Sequence, residues 1–331
     1  MRMMTYRMCT RTGMSDRLAI VVPCYNEEEV LPICIDTLKK VLADLIGKGK
    51  VDAGSFLLFV NDGSKDRTWE ILCERHAADP QIAAVGLAKN CGHQSALLAG
   101  LMTAKEHADI CVSMDADLQD DVSVVEQMVD HYHEGCDIVY GVRSSRKKDT
   151  FFKRFTAESY YKLLAAMGVK TVYNHADYRL MSKRAIEELS RYRESNLYLR
   201  GLIPQLGYKT AEVTYERGER AAGESKYPFK KMLALALNGI TSFSVTPIRF
   251  VLDMGLIVLL ICLCAAVYAF VSYISGNVER GWTSLILSIW FLGGVQLLAI
   301  GVIGEYIGKI YAEVKHRPLY NIDTVLYRET E

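Results

Sequence analysis

The stretch Leu18-Ala19-Ile20-Val21-Val22-Pro23-Cys24-Tyr25-Asn26-Glu27-Glu28 decides the fold. Five apolar residues stop at a proline and give way to a polar, acidic edge, the pattern of a short buried strand. Similar runs recur at Phe56 to Val60, Ile82 to Leu87, Ile110 to Met114 and Asp137 to Val142. Between them, Glu28 to Ile46, Thr68 to Ala78, Gln94 to His107 and Val122 to His133 carry apolar residues at helical spacing. The alternation predicts an α/β domain with a mainly parallel sheet covered by helices. In such sheets the ligand lies beyond the carboxyl ends of the strands, so the residues after each strand are the ones to inspect.

Three of those ends are acidic. The first strand runs into Glu27, Glu28 and Glu29, the second into Asn61-Asp62-Gly63-Ser64 with Asp66, and the fourth into Asp115-Ala116-Asp117-Leu118-Gln119-Asp120-Asp121. Carboxylates gathered without bases repel one another, so a hard cation or a hydrogen-bonded ligand must compensate. The Asp115-Ala116-Asp117 pair suits Mg²⁺ or Mn²⁺, which take oxygen ligands and bridge carboxylates to substrate phosphates. His93 follows Cys91-Gly92 at a helix start, where capping or packing is the expectation, since no zinc spacing surrounds it.

The last third changes character. Met254 to Ile274 is 21 residues without a charge and Trp282 to Gly304 is another 23, separated by a short polar turn. At 1.5 Å per helical residue the first run is about 32 Å long, enough to cross a bilayer core. The expected organisation is an N-terminal extension (1–17), a globular domain (18–227), a juxtamembrane segment (228–248), two transmembrane helices (249–308) and a C-terminal tail (309–331). Arg249 precedes the pair and Lys309, Lys315 and Arg317 follow it, against Arg280 alone in the turn, so the positive-inside rule places both termini and the globular domain in the cytoplasm. The extension lacks the apolar region of a signal peptide. Nine cysteines without a C-x-x-C pair read as reduced thiols, and a formal net charge of zero argues against a nucleic-acid partner.

With these motifs the sequence resembles glycosyltransferase family 2, and within it the polyprenyl-phosphate glycosyltransferases. The resemblance is carried by Val22 to Glu28, Asn61 to Ser64 with Asp66, Asp115 to Gln119, Ala176-Asp177-Tyr178-Arg179-Leu180 and Gly223-Glu224-Ser225-Lys226-Tyr227. Asn61 and Asp121 depart from it, standing where many members have Asp and Pro. The resemblance implies a GT-A, Rossmann-like nucleotide-sugar-binding domain followed by a transmembrane hairpin. Pro23, Tyr25, Asn26, Glu27, Asp62, Asp115, Ala116 and Gln119 would then hold the nucleotide-sugar, and Asp115 and Asp117 the divalent ion. Asp177 matches a position proposed as base, with structural pairing to Arg179 as the other reading. The group includes homo-oligomers, so one is open here.

The expected reaction is inverting transfer of a sugar, preferably UDP-linked, to the phosphate of a polyprenyl phosphate in the membrane lipid. Arg143, Arg146, Lys147, Lys148, Lys153 and Arg154 put six cations within twelve residues, just before an amphipathic, tyrosine-bearing segment. Such a shelf attracts lipid phosphates, with Arg143 and Arg154 as the preferred ligands and Lys153 beside them, a solvated charged loop being the other reading. Arg217, Arg220 and Lys226 form a second basic set in a glycine-containing loop. A processive polysaccharide synthase would carry more membrane helices and a Q-x-x-R-W motif, which this sequence lacks. A nucleotide-sugar-binding scaffold without activity would lack metal-dependent transfer. A dinucleotide oxidoreductase would need a glycine-rich turn after the first strand, and Pro23-Cys24-Tyr25-Asn26 is none.

Overall fold

A computed structural model describes residues 16–144, 175–192, 194, 198–216, 218, 246–275 and 281–328. Strands β1 (Leu18–Cys24), β2 (Phe56–Asn61), β3 (Ile82–Leu87), β4 (Ile110–Ser113) and β5 (Ile138–Arg143) alternate with helices α1 (Leu31–Gly47), α2 (Thr68–Ala78), α3 (His93–Ala104) and α4 (Val124–His133). All five predicted strands and all four helices are present, with ends shifted by up to three residues. β1 to β4 are buried along their whole length, as strands covered on both faces must be.

The sheet is mixed rather than mainly parallel. Three further strands, β6 (His175–Ser182), β7 (Thr210–Tyr215) and β8 (Ile322–Leu326), complete the order β7-β5-β6-β4-β1-β2-β3-β8. β6 runs antiparallel to both β4 and β5, and β8 antiparallel to β3. Between β6 and β7 lie α5 (Lys183–Leu189), capped by Ser182, and the short helical turn α6 (Leu199–Leu202).

Side-chain alternation divides the core. Leu18, Ile20 and Val22 of β1 join Leu31, Ile35, Leu38 and Leu42 of α1 and Val125, Met128 and Val129 of α4 in one cluster. Each fully buried aliphatic side chain there contributes about 1.5–3 kcal/mol. Val21 faces the other way, towards α3, where a Cβ on Gly100 would stand 2.5 Å from Val21 Cγ1 and 2.7 Å from Val60 Cγ2. Glycine at position 100 lets α3 lie close on the sheet, which sets the depth of its N-terminus relative to the strand ends.

The chain divides into two compact units, and β8 belongs to the first although it follows the second in sequence. The second unit contains α7 (Thr246–Ile274) and α8 (Trp282–Val314). Many of their large apolar side chains are exposed, among them Leu260, Ile261, Trp290 and Leu297. Among the described residues, one helical stretch, Ser288–Val314 (mean hydropathy 1.5), is long and apolar enough to cross a membrane. α8 thus runs on past the uncharged segment through Glu305 and Lys309. Residues 1–15, the cations from Arg146 to Arg154, the tyrosine-bearing segment after them, Arg217, Arg220, Lys226 and the turn 276–280 lie outside the described residues.

Candidate active site

The carboxyl ends of β1 and β2 are joined by side chain to main chain hydrogen bonds. The Asn26 amide donates to Ser64 Oγ at 3.0 Å, the Lys65 amide donates to Asn26 Oδ1 at 2.8 Å, and the Glu27 amide donates to Thr68 Oγ1 at 3.0 Å. Asn26 accepts a left-handed backbone (φ 54°), which asparagine tolerates better than most residues. Pro23 is buried at the strand end, and Tyr25 projects from it, 42% exposed.

Asp62, buried at the end of β2, accepts the amides of Cys91 at 2.6 Å and Gly92 at 3.0 Å. Both carboxylate oxygens therefore hold the β3–α3 loop. Burial raises its pKa, and the two amides oppose the rise. Gly63 lies against the same loop with φ 62°, and a Cβ there would meet the Asn90 nitrogen at 2.6 Å.

After β4 the chain passes through Asp115, the buried Ala116, and Asp117, whose Oδ1 accepts the Gln119 amide at 3.2 Å. Leu118, between them, has φ 52°, a conformation costing roughly 1–2 kcal/mol for a residue with a Cβ. Such outliers collect where the surrounding structure fixes a functional turn. The turn is further tied to β5 and β7. Tyr215 donates to the buried Asp120 at 2.5 Å, Arg143 Nε donates to Tyr215 at 3.3 Å, and Arg143 Nη2 lies 3.5 Å from Asp120. Beyond β7 the Gly218 amide reaches Gln119 O at 2.8 Å.

β6 brings Asp177 into the same place. Ser113 pairs with Arg179 across antiparallel strands, so Asp177, two residues earlier on β6, falls beside Asp115, two residues later on from β4. Asp177 is buried and accepts Arg179 Nη2 at 2.6 Å, while Arg200 of α6 holds it through Nε at 3.1 Å and Nη2 at 2.8 Å. Burial alone would raise its pKa, but Arg200 and Arg179 hold it well below the usual carboxylate range. Asp115 moves the other way. Burial raises its pKa and the nearby carboxylates of Asp177, Asp120 and Asp117 add to the rise, with His93 opposing. The whole side chain is 36% exposed, yet its Oδ1 is sealed from solvent without a hydrogen-bond partner.

His93 corrects an expectation of the sequence. Gly92 is the N-cap position of α3 and makes no side-chain cap. The His93 ring instead enters the site, with Nε2 3.5 Å from Asp115 Oδ1 and 3.7 Å from Asp177 Oδ2. Its place after β3 follows the strand-end rule that singled out the other positions. Nothing in the sequence singles out Arg200, which reaches Asp177 only through the tertiary fold.

The partly exposed Asp115 carboxylate, beside the acidic side chains of Asp117, Asp120 and Asp177, is a donor set that fits a divalent cation. Among the described residues no three His, Cys, Asp or Glu side chains are gathered to hold one alone. Mg²⁺ and Mn²⁺ suit that arrangement, because they bind through one or two carboxylates and take further ligands from substrate phosphates.

Residues 19–190 match the model of glycosyl transferase family 2, and residues 246–310 match the GtrB C-terminal hairpin. The chain belongs to glycosyl transferase family 2. It is a glycosyltransferase with a GT-A-like mixed sheet. The uncharacterized glycosyltransferase YkoT of Bacillus subtilis is 55% identical over 94% of this chain and 93% of its own. The bactoprenol glucosyl transferase of Shigella phage SfV is 40% identical over 92% of this chain and 98% of its own. A prophage bactoprenol glucosyl transferase homolog of Escherichia coli K12 is 39% identical over 93% and 99%.

Proposed function

We propose that this enzyme transfers a sugar, with inversion, from a UDP-linked donor to the phosphate of a polyprenyl phosphate at the cytoplasmic membrane surface. The observation that carries the reading is the turn after β4, where the partly exposed Asp115 carboxylate stands beside Asp177 with Asp117 two residues on. Relatives named bactoprenol glucosyl transferases, matched over more than 90% of both chains, support a lipid-phosphate acceptor.

Asp115 and Asp117 would hold Mg²⁺ or Mn²⁺, which when bound supplies Lewis-acid stabilisation of charge on the departing diphosphate. Pro23, Tyr25, Asn26, Glu27, Ala116 and Gln119 form the donor pocket, and Asp62 shapes it by fixing the loop that leads into α3. A phosphate oxygen of the acceptor attacks the anomeric carbon as the bond from that carbon to the diphosphate oxygen breaks, and the nucleoside diphosphate leaves with the electron pair. The acceptor phosphate has a second pKa near 6, so it arrives as an anion at neutral pH. It needs cations to position it rather than a base to deprotonate it. Arg143, Lys153, Arg154, Arg217, Arg220 and Lys226 supply those cations. Asp177, engaged by two guanidiniums, is suited to hold them in place and not to take up a proton.

The second unit anchors the enzyme. One sheet contains strands from both sides of the α7–α8 pair, so the chain leaves the globular unit and returns to it. A membrane entered from one side and left on that side is crossed an even number of times. If α8 crosses, α7 crosses back, which supports a two-span hairpin with both ends on one side, and the basic residues flanking the pair favour the cytoplasm as that side.

Purified full-length enzyme in detergent, incubated with undecaprenyl phosphate and radiolabelled UDP-glucose, UDP-N-acetylglucosamine or GDP-mannose, tests the reading. A labelled phospholipid sugar of inverted anomeric configuration is expected from a UDP donor. Absence of transfer to the lipid phosphate from every donor would remove the proposal.

A further inference from the structure

His93 has no part in the reaction as drawn above, yet the fold fixes its position from both sides. The preceding residue, Gly92, donates its amide to Asp62 Oδ2 at 3.0 Å, and the following one, Gln94, accepts the Leu199 amide at 3.0 Å. One tie runs to the end of β2 and the other to the residue before Arg200. Between them the imidazole presents Nε2 to two carboxylates, and these differ in what they need. Asp177 already takes three hydrogen bonds from Arg179 and Arg200. Asp115 Oδ1, 3.5 Å from Nε2, is buried and takes none.

We infer that His93 is a positioning residue whose Nε2–H donates to Asp115 Oδ1 and turns the carboxylate so that its other oxygen faces the divalent ion. A small rotation of the ring closes the 3.5 Å separation to hydrogen-bond length. Asp177, made rigid by its two arginines, flanks the same nitrogen at 3.7 Å and keeps the N–H directed into the site. Outer-shell donors of this kind set the direction and basicity of a ligating group, and their loss typically weakens metal binding by about 10–100-fold.

The inference rests on the metal-assisted reading above. Its test is a titration of the full-length enzyme in detergent with MnCl₂ in the presence of UDP, reading free Mn²⁺ by its electron paramagnetic resonance signal. His93→Leu is expected to weaken Mn²⁺ binding by about 10–100-fold, while His93→Gln, whose amide nitrogen can take the place of Nε2, stays within about threefold of wild type. The two variants should melt where wild type melts, because the ring is 42% exposed. Unchanged Mn²⁺ affinity in His93→Leu would overturn the assignment, as would His93→Gln binding as weakly as His93→Leu. A common loss of thermal stability would also overturn it, since it would make the ring a packing group. A wild-type enzyme that binds no Mn²⁺ would instead remove the metal reading on which the assignment stands.

Discussion

Replacing Asp177 by Asn separates two roles for the same carboxylate. The side chain is buried and holds Arg179, only 1% exposed, and the partly exposed Arg200. Asn removes the negative charge and keeps the shape, taking from the buried Arg179 cation the carboxylate it pairs with at 2.6 Å. Breaking a buried pair from one side costs about 3–5 kcal/mol. For a domain of this size each kcal/mol moves the melting temperature by roughly 2–4 °C, so Asp177→Asn should melt about 6–20 °C below wild type. The assay is thermal unfolding of the full-length enzyme in detergent, paired with initial rates at a temperature where both proteins are folded. The pH dependence follows from the same pairing. The folded pKa lies below the unfolded value near 3.9, so the stabilisation is complete above about pH 4 and is lost as pH falls through the folded value. The activity profile near neutral pH should therefore carry no limb that disappears in Asp177→Asn. A variant that melts within about 2 °C of wild type yet turns over a hundredfold more slowly would refute the clamp and make Asp177 a base.

Asp117→Asn should lower turnover at least about a hundredfold, and near-normal rates in excess EDTA would contradict the metal-assisted step. Arg143→Ala should raise the concentration of lipid phosphate needed for half-maximal rate while leaving UDP binding, measured by calorimetry, nearly unchanged; equal losses of both would place Arg143 in the donor pocket. Deleting residues 319–331 should lower the melting temperature and cause self-association by light scattering, because it uncovers the apolar edge of β3. Restored monodispersity is expected when that segment is joined by a flexible linker to a chain ending at residue 244, and persistent association would trace it to a surface other than the β3 edge.

Four of the five strands read from the sequence, β1 to β4, are buried on both faces, which demands an apolar run, and the fifth, β5, is buried through its first four residues. β6 hid because its buried positions include Asp177 and Arg179, a charge pair satisfied only across the fold. β7 alternates exposed and buried residues, and β8 pairs with a strand more than two hundred residues earlier in the chain. The antiparallel β6 and β8 turned an expected mainly parallel sheet into a mixed one. The strand-end rule located Asp62, Asp115 and Asp117 because polar residues following apolar runs are visible in one dimension. It could not show that Asp62 spends both oxygens on backbone amides, that Asp177 is held by Arg200, or that His93 lies between two carboxylates. Those facts depend on register and on helix placement.

The position of β8 also orders events during synthesis. Between Tyr215, the last residue of β7, and Ile322, the first of β8, lie 106 residues, among them the whole α7–α8 pair. At about 5–20 residues per second a ribosome takes roughly 5–20 s to make them. Through that interval the nascent sheet ends at β3, the apolar strand Ile82–Leu87, whose outer backbone groups face no partner strand. Open edges of this kind recruit other chains. The short strand that closes the edge is made only after both helices, so on the membrane-hairpin reading proposed above insertion comes before completion of the sheet, and a chain stalled within the α7–α8 pair is left with its adhesive edge bare.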